Sequence, residues 1–485
     1  MSGSRKEQTS LLAEKNGVTI TSAGRRGEVP EKQPYVPVRL TPAWEATNAT
    51  EDELNFRNIN MEDAHLQLNP PKDKLNLVLL VLLLHGVGVL MPWNMFITAK
   101  AYFVDYKLSE NYTGISSKYA TNFMPYLGFA AQVPNVIFNW VNIFVQLGGN
   151  LTTRIVWSIT IEVIIFIFTI ILAMSDSQDW PGTFFWVTLG CVVILNMANG
   201  VYQNTVYGMA AKLPFKYTGI VVLGSNISGT FTAVISILSE IFASNARTAA
   251  IYYFITALFV LLLCFDTYFA LPLNRFYRHH ELKNLKEAQL KQRETPGVKP
   301  QVPYWIVFKQ AFPQLFNVFM VFFVTLSVFP EIHSNIKPSD SHFVVTDKYY
   351  TSVTCFLTFN VCAMLGSSIS SWFTWPKPKY LWIPVMLRLL YIPLFLLCNY
   401  QPAKVDRIFP VLINNDWAYW IIAITMGLSS GYFSSLGMIY APRTVEPQYA
   451  ATAGMFGAAC LITGIFSGIL FSFVWPVFVE YVPGF

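Results

Sequence analysis

The chain has 485 residues, of which 53% are hydrophobic and only 13% charged. Apolar content this high over such a length excludes a soluble globular protein, and apolar runs of about 20 residues, the length that crosses a bilayer as helix, recur along it. Its 33 basic and 28 acidic residues leave a net charge of +5, and a lipid bilayer, not a nucleic acid, is the expected surrounding.

Residues 1–73 are polar and proline-containing without a sustained helical period, which predicts a disordered cytoplasmic tail. Within it Glu7, Leu11 and Leu12 fit the sorting pattern E-x-x-x-L-L, whose two leucines would dock into an apolar pocket of a sorting adaptor. Spans are then predicted at 75–100, 120–147, 154–175, 183–211, 219–243, 249–273, 306–330, 350–374, 381–399, 418–440 and 450–478. The fold class is therefore all-α, a polytopic membrane protein of about eleven transmembrane helices. The basic stretch Arg275 to Lys299 divides them into a six-helix bundle (74–274), a basic cytoplasmic linker (275–303) and a five-helix bundle (304–485). Two bundles around a central cavity is a common construction of alternating-access transporters.

Positive charge is retained on the cytoplasmic side. That rule puts the N-terminus and the linker in the cytosol and the C-terminus outside or in a lumen, with Lys404 and Arg407 as exceptions in an outer loop. Asn111-Tyr112-Thr113 is then an accessible glycosylation sequon in the first outer loop, whereas the sequon at Asn226 falls inside a span. All six cysteines fall within spans and show no metal-ligand spacing. With no G-x-x-x-x-G-K-[ST] loop and no catalytic triad, neither ATP drive nor enzymatic chemistry is expected, and no cofactor or metal.

The first span contains Pro92-Trp93-Asn94, a helix breaker, an indole and a carboxamide at a depth where lipid offers no partners. Such a run is tolerated mainly where protein or water satisfies it; interface anchoring of Trp93 is the alternative. Further polar residues gather in the second span (Gln132, Asn135), the fourth (Asn196, Asn199, Gln203) and the eighth (Asn360, Ser367). Carboxamides, hydroxyls and an indole suit a neutral, planar, hydrogen-bonding solute more than an ion. Glu162 is a lone carboxylate in the third span, either a protonated spectator, a partner of Arg154 or a coupling site; Asp266 and Arg388 read as structural. Small residues such as Gly224, Gly427, Gly431, Gly464 and Gly468 predict close helix packing.

Across 75–478 the chain resembles the equilibrative nucleoside transporter family. The matching runs are Pro92-Trp93-Asn94 with Thr98-Ala99, Gln132 to Asn135, Gly200 through Gln203 to Gly208, Phe329-Pro330, Phe359-Asn360, Arg388 with Pro393, Gly431-Tyr432, Ala441-Pro442 and Ala453-Gly454. The resemblance implies a major-facilitator-like bundle in a 6+5 arrangement and facilitated diffusion of nucleosides or nucleobases without an energy source. It also implies that Leu90, Trp93, Ile97, Gln132, Asn135, Gln203, Phe356, Asn360, Ser367 and Ile465 contact the solute, with Pro92, Asn94, Gly224, Pro330 and Arg388 in structural or gating roles. The eighth span departs from the family pattern F-N-x-x-D-x-x-G-[RK], because Ala363 replaces the carboxylate and Ser367 the cation. A different neutral or organic-cation substrate, or a non-transporting sensor or scaffold, is the alternative expectation. Plasma membrane is the default location, with endosome or lysosome next because of Leu11 and Leu12.

Overall fold

The computed structural model describes residues 71–99, 101–114, 118–145, 150–243, 245–294, 302–340, 343–346, 350–402 and 407–482. The sorting motif at Glu7, Leu11 and Leu12 and nearly all of the predicted tail lie outside the described residues. Eleven long helical segments follow one another: α1 (Leu77–Thr98), α2 (Lys118–Val145), α3 (Leu151–Met174), α4 (Pro181–Ala210), α5 (Phe215–Phe242), α6 (Ala246–Ala270), α7 (Tyr304–Val328), α8 (Thr351–Ser370), α9 (Trp382–Leu397), α10 (Asp416–Tyr440) and α11 (Ala450–Ser472). Among the described residues, ten segments are long and apolar enough to cross a membrane, and the segment beginning at Lys118 is not among them. That helix, α2, carries Gln132, Asn135, Asn139 and Asn142 on 28 residues, so its hydropathy understates its place in the bundle. Between α6 and α7 the basic linker forms a further helix, Arg275–Glu294. We call the end of the bundle that bears it the linker side.

Caps mark several boundaries. Asn245 accepts from Thr248 N at the start of α6, and Asn415 accepts from Trp417 N and Ala418 N at the start of α10, each satisfying amides that open a helix. Pro181 occupies the first turn of α4, where its missing N–H costs nothing. Asp73 does more: its carboxylate accepts from Val78 N and Leu79 N (both 3.2 Å) and from the Tyr217 hydroxyl (3.0 Å), fastening the start of α1 to the start of α5. At the other end, Arg407 donates to the carbonyls of Leu396, Cys398, Tyr400, Phe409 and Pro410. A cation consumed by carbonyls just past the C-terminus of α9 is not free to set orientation, which accounts for a basic residue in a loop expected from sequence to be outer.

In the first bundle α1 packs on α5, α2 on α4, and α3 on α4 and α6; in the second α7 packs on α11 and α10, and α8 on α10. The tightest crossings are glycine against backbone. A Cβ on Gly224 would lie 2.9 Å from Gly86 Cα, and one on Gly464 2.5 Å from the Phe319 carbonyl. Gly431 leaves no room for a Cβ at all against the Ala363 carbonyl. In lipid, where apolar burial drives helices together only weakly, such van der Waals contact carries the association.

Arg388 is fully buried inside the second bundle. It donates to the Val321 carbonyl (2.8 Å), Thr325 Oγ1 (2.9 Å), Ser429 Oγ (3.1 Å) and the Met426 carbonyl (3.4 Å), joining α9 to α7 and α10. Glu162 is buried with neither carboxyl oxygen bonded, while Arg154 points to Asn142 (O at 3.4 Å, Oδ1 at 3.5 Å), so the suggested Glu162–Arg154 pair does not form. Asp266 is exposed on α6. Asn111 is exposed in the short helix Glu110–Thr113 after α1, and Pro330 opens the turn after α7.

Candidate functional site

The intramembrane polar residues fall into two groups, one already satisfied by neighbouring helices and one not. In the first, Asn94 Nδ2 donates to Ser228 Oγ (3.2 Å), tying α1 to α5. Pro92 is buried one turn beyond Gly88, where Cys264 Sγ would stand 2.8 Å from a Cβ. Asn139 Nδ2 donates to Asn135 O (3.1 Å) and Oδ1 (2.7 Å) along α2. Asn142 Nδ2 bonds Asn204 Oδ1 (2.9 Å) and Thr205 Oγ1 (3.2 Å), joining α2 to α4 beside the close approach of Gly200 to the Asn135 carbonyl.

The second group is made of buried carboxamides with no protein partner on one or both polar atoms. Gln132 Oε1 and, despite its bonded Nδ2, Asn139 Oδ1 on α2, and Gln203 Oε1, Asn196 Oδ1 and both side-chain atoms of Asn199 on α4, are in this state. Leaving such an atom unsatisfied costs about 1–3 kcal/mol, so six of them, on five residues of two adjacent helices, make these helices the candidates to receive hydrogen bonds from something polar. Leu90, Trp93 and Ile97 are half-buried on α1, as is Ile465 on α11. They offer partly exposed apolar surface, and an indole face can take an aromatic ring.

The α8 residues are distributed differently from one another. Asn360 is half-buried, its Oδ1 lying over Gly229 of α5, and Nδ2 donates to its own Phe356 carbonyl (2.9 Å). Phe356 is 43% exposed and meets Phe329 edge to face at 5.7 Å. Ser367 is fully buried: it receives a hydrogen bond from Asn226 of α5 and donates to the Gly431 carbonyl of α10 (3.2 Å). Ala363, one turn earlier, is buried against Gly431. The two positions that depart from the family pattern thus sit in helix–helix contacts, with Asn226, read from sequence only as an unusable sequon, as the partner.

Sequence reasoning missed one buried cluster. His85 of α1, fully buried, has Nδ1 2.7 Å from the Tyr202 hydroxyl of α4 and its ring edge-on to Tyr202 and Tyr268. A histidine within the first apolar run was the available signal.

The hydrogen bonds and ring contacts between described residues that join the bundles gather from mid-depth to the linker side. Trp140 Nε1 donates to Thr463 Oγ1 (2.9 Å), and its ring meets Phe456 and Phe308. Asn204 Nδ2 donates to the Met455 carbonyl (2.8 Å), Gly208 lies under the Met455 side chain, and Gly454 abuts the Tyr207 carbonyl. Asn226 and Ser367 complete this seam between α5 and α8.

Residues 189–477 match the family model described as nucleoside transporter. Equilibrative nucleoside transporter 1 of Homo sapiens is 28% identical over 455 residues, covering 84% of this chain and 99% of that protein. Equilibrative nucleoside transporter 2 of Homo sapiens is 30% identical over 458 residues, covering 84% and 98%. Among solved structures, the major facilitator superfamily proton:xylose symporter XylE bound to 6-bromo-6-deoxy-D-glucose is similar with a TM-score of 0.55 at 10% identity, over 84% of this chain and 88% of that one, a likeness of fold alone. With the family model spanning more than half its length and its membrane helices arranged as in a major facilitator bundle, this chain belongs to the nucleoside transporter family.

Proposed function

We propose that this protein carries nucleosides or nucleobases across a membrane by facilitative alternating access. The observation that carries the reading is the set of buried carboxamides with unpartnered oxygens, Gln132, Asn196, Asn199 and Gln203, in α2 and α4 of a chain of this family. A base edge presents donors and acceptors together, and a carboxamide answers both. Leu90, Trp93, Ile97, Gln132, Asn135, Gln203, Phe356, Asn360 and Ile465 form the solute contacts in this reading, with Ser367 acting through Asn226. The lack of a carboxylate–cation pair at Ala363 and Ser367 favours solutes that depend less on ribose hydroxyls.

A seam running from mid-depth to the linker side is what one end state of alternating access requires, with that side sealed. The charge rule makes it the cytoplasmic side, which leaves Asn111 available for glycosylation and the N-terminal leucines for an adaptor, at the plasma membrane or on the endosomal route. Uptake of radiolabelled uridine, adenosine and adenine into proteoliposomes tests the function: saturable, mutually competing uptake is expected, and no saturable uptake of any of the three would sink it.

A further inference from the structure

Three stretches of chain far apart in sequence converge on the linker side: the α4–α5 loop, the linker helix and the α10–α11 connection. They line an open cavity of about 420 Å³ whose lining includes Lys212, His280, Lys283 and Arg443 and, among the described residues, no carboxylate. These four basic side chains belong to different moving parts: Lys212 to the first bundle, His280 and Lys283 to the linker helix, Arg443 to the second bundle. Asn284 ties the linker helix to the α4–α5 loop by donating to the Lys212 carbonyl (3.2 Å), and donates also to the His280 carbonyl of its own helix (2.8 Å). The Arg443 guanidinium sits 4.2 Å from the centre of the Phe215 ring, across the boundary between bundles.

Basic groups held together repel one another, and an anion placed among them relieves the repulsion. Burial holds Lys212 and Arg443 below their ordinary values, with nearby Glu281 drawing Lys212 partly back up. Burial, His279 and Lys283 hold His280 down to about 4, so at neutral pH it is an uncharged hydrogen-bonding group in a lining whose cations are Lys212, Lys283 and Arg443. Guanidinium and ammonium groups of this kind, at the cytoplasmic edge of a membrane helix bundle, match phosphate oxygens. A neutral nucleoside would use none of these charges.

We propose that this cavity binds a phosphate-bearing anion with the chemistry of a polyphosphorylated inositol headgroup, and that occupancy holds the two bundles together on the linker side. The site exists only while Lys212 and Arg443 are brought together, so its ligand favours the sealed state and slows the cycle. The slowing rests on the transport reading above, whereas binding does not.

The test uses the full chain in phosphatidylcholine nanodiscs and in proteoliposomes. One arm measures binding of soluble inositol 1,4,5-trisphosphate; the other compares nanodiscs with and without phosphatidylinositol 4,5-bisphosphate by thermal stability. Saturable binding that weakens with added salt, by about tenfold or more in Lys283→Gln with Arg443→Gln, is expected. Lys283→Gln alone, at an exposed position of the linker helix, should weaken it severalfold without disturbing the fold. A response in both arms supports the shared chemistry, and a response in one alone supports it and names the source. No response in either arm, or undiminished binding in both variants, overturns the site. Binding that leaves uridine and adenosine uptake unchanged overturns the regulatory half, whereas absent uptake with intact binding strikes the transport reading instead.

Discussion

Trp140→Phe tests whether the seam between bundles sets the balance between conformations. The substitution keeps an aromatic ring against Phe456 and Phe308 and removes only the bond to Thr463, whose hydroxyl still donates to its own Ala459 carbonyl (2.7 Å). One neutral buried hydrogen bond is worth about 0.5–1.5 kcal/mol net. The linker-side-open state should therefore gain roughly two- to tenfold in population. Met455→Cys supplies a reporter, since that side chain lies over Gly208 in the seam and the native cysteines are buried. Alkylation from the linker side should accelerate by the same factor in Trp140→Phe. Trp475→Phe is the control, because its indole donates to the Ser327 carbonyl (2.7 Å) within the second bundle. It should lower thermal stability by a similar amount and leave the labelling rate alone. Unchanged labelling in Trp140→Phe, or equal acceleration in Trp475→Phe, would refute the assignment of the seam.

Gln203→Leu removes a buried carboxamide whose Oε1 has no partner and should leave the melting temperature unchanged or higher while raising the KM for nucleoside uptake by about tenfold; proteoliposome kinetics alongside calorimetry distinguish this from misfolding. Among the described residues Arg388 is held by carbonyls and hydroxyls alone, so the charge itself is expensive to bury. Arg388→Met should cost less than about 2 kcal/mol, whereas Arg388→Lys, which keeps a charge and loses the fork, should cost about 3 kcal/mol or more. The reverse order in melting temperature would contradict that account. Ser367→Arg places a long cation where Ser367 fits between Asn226 and the Gly431 carbonyl; loss of monodisperse protein on gel filtration is expected in preference to altered substrate affinity.

Spans and class were legible because hydropathy over about 20 residues does not depend on tertiary detail. The rotation of each helix about its axis was not. On α8, Asn360 and Ser367 both read as cavity-facing, yet Asn360 lies over Gly229 and Ser367 is spent on α5 and α10. Polar residues recur round that helix, so no single face stands out. Asn94 and Asn226 likewise carried a polar signal whose partners, Ser228 and Ser367, lie more than a hundred residues away. The Asp73–Tyr217 fastening was invisible for the same reason. The carboxamides of α2 and α4 were legible as a pair of clusters, since helical spacing alone sets them on adjacent turns.

The seam between α4 and α11 has a kinetic implication. Where Gly454 meets the Tyr207 carbonyl and Asn204 reaches the Met455 carbonyl, much of what comes together is main chain already fixed by its own helix. Few rotamers have to be frozen when it closes, and each long side chain so spared avoids up to about 2 kcal/mol of lost entropy. A gate built this way recloses without a search among side-chain arrangements, which suits a carrier that must close and open once for every molecule it moves.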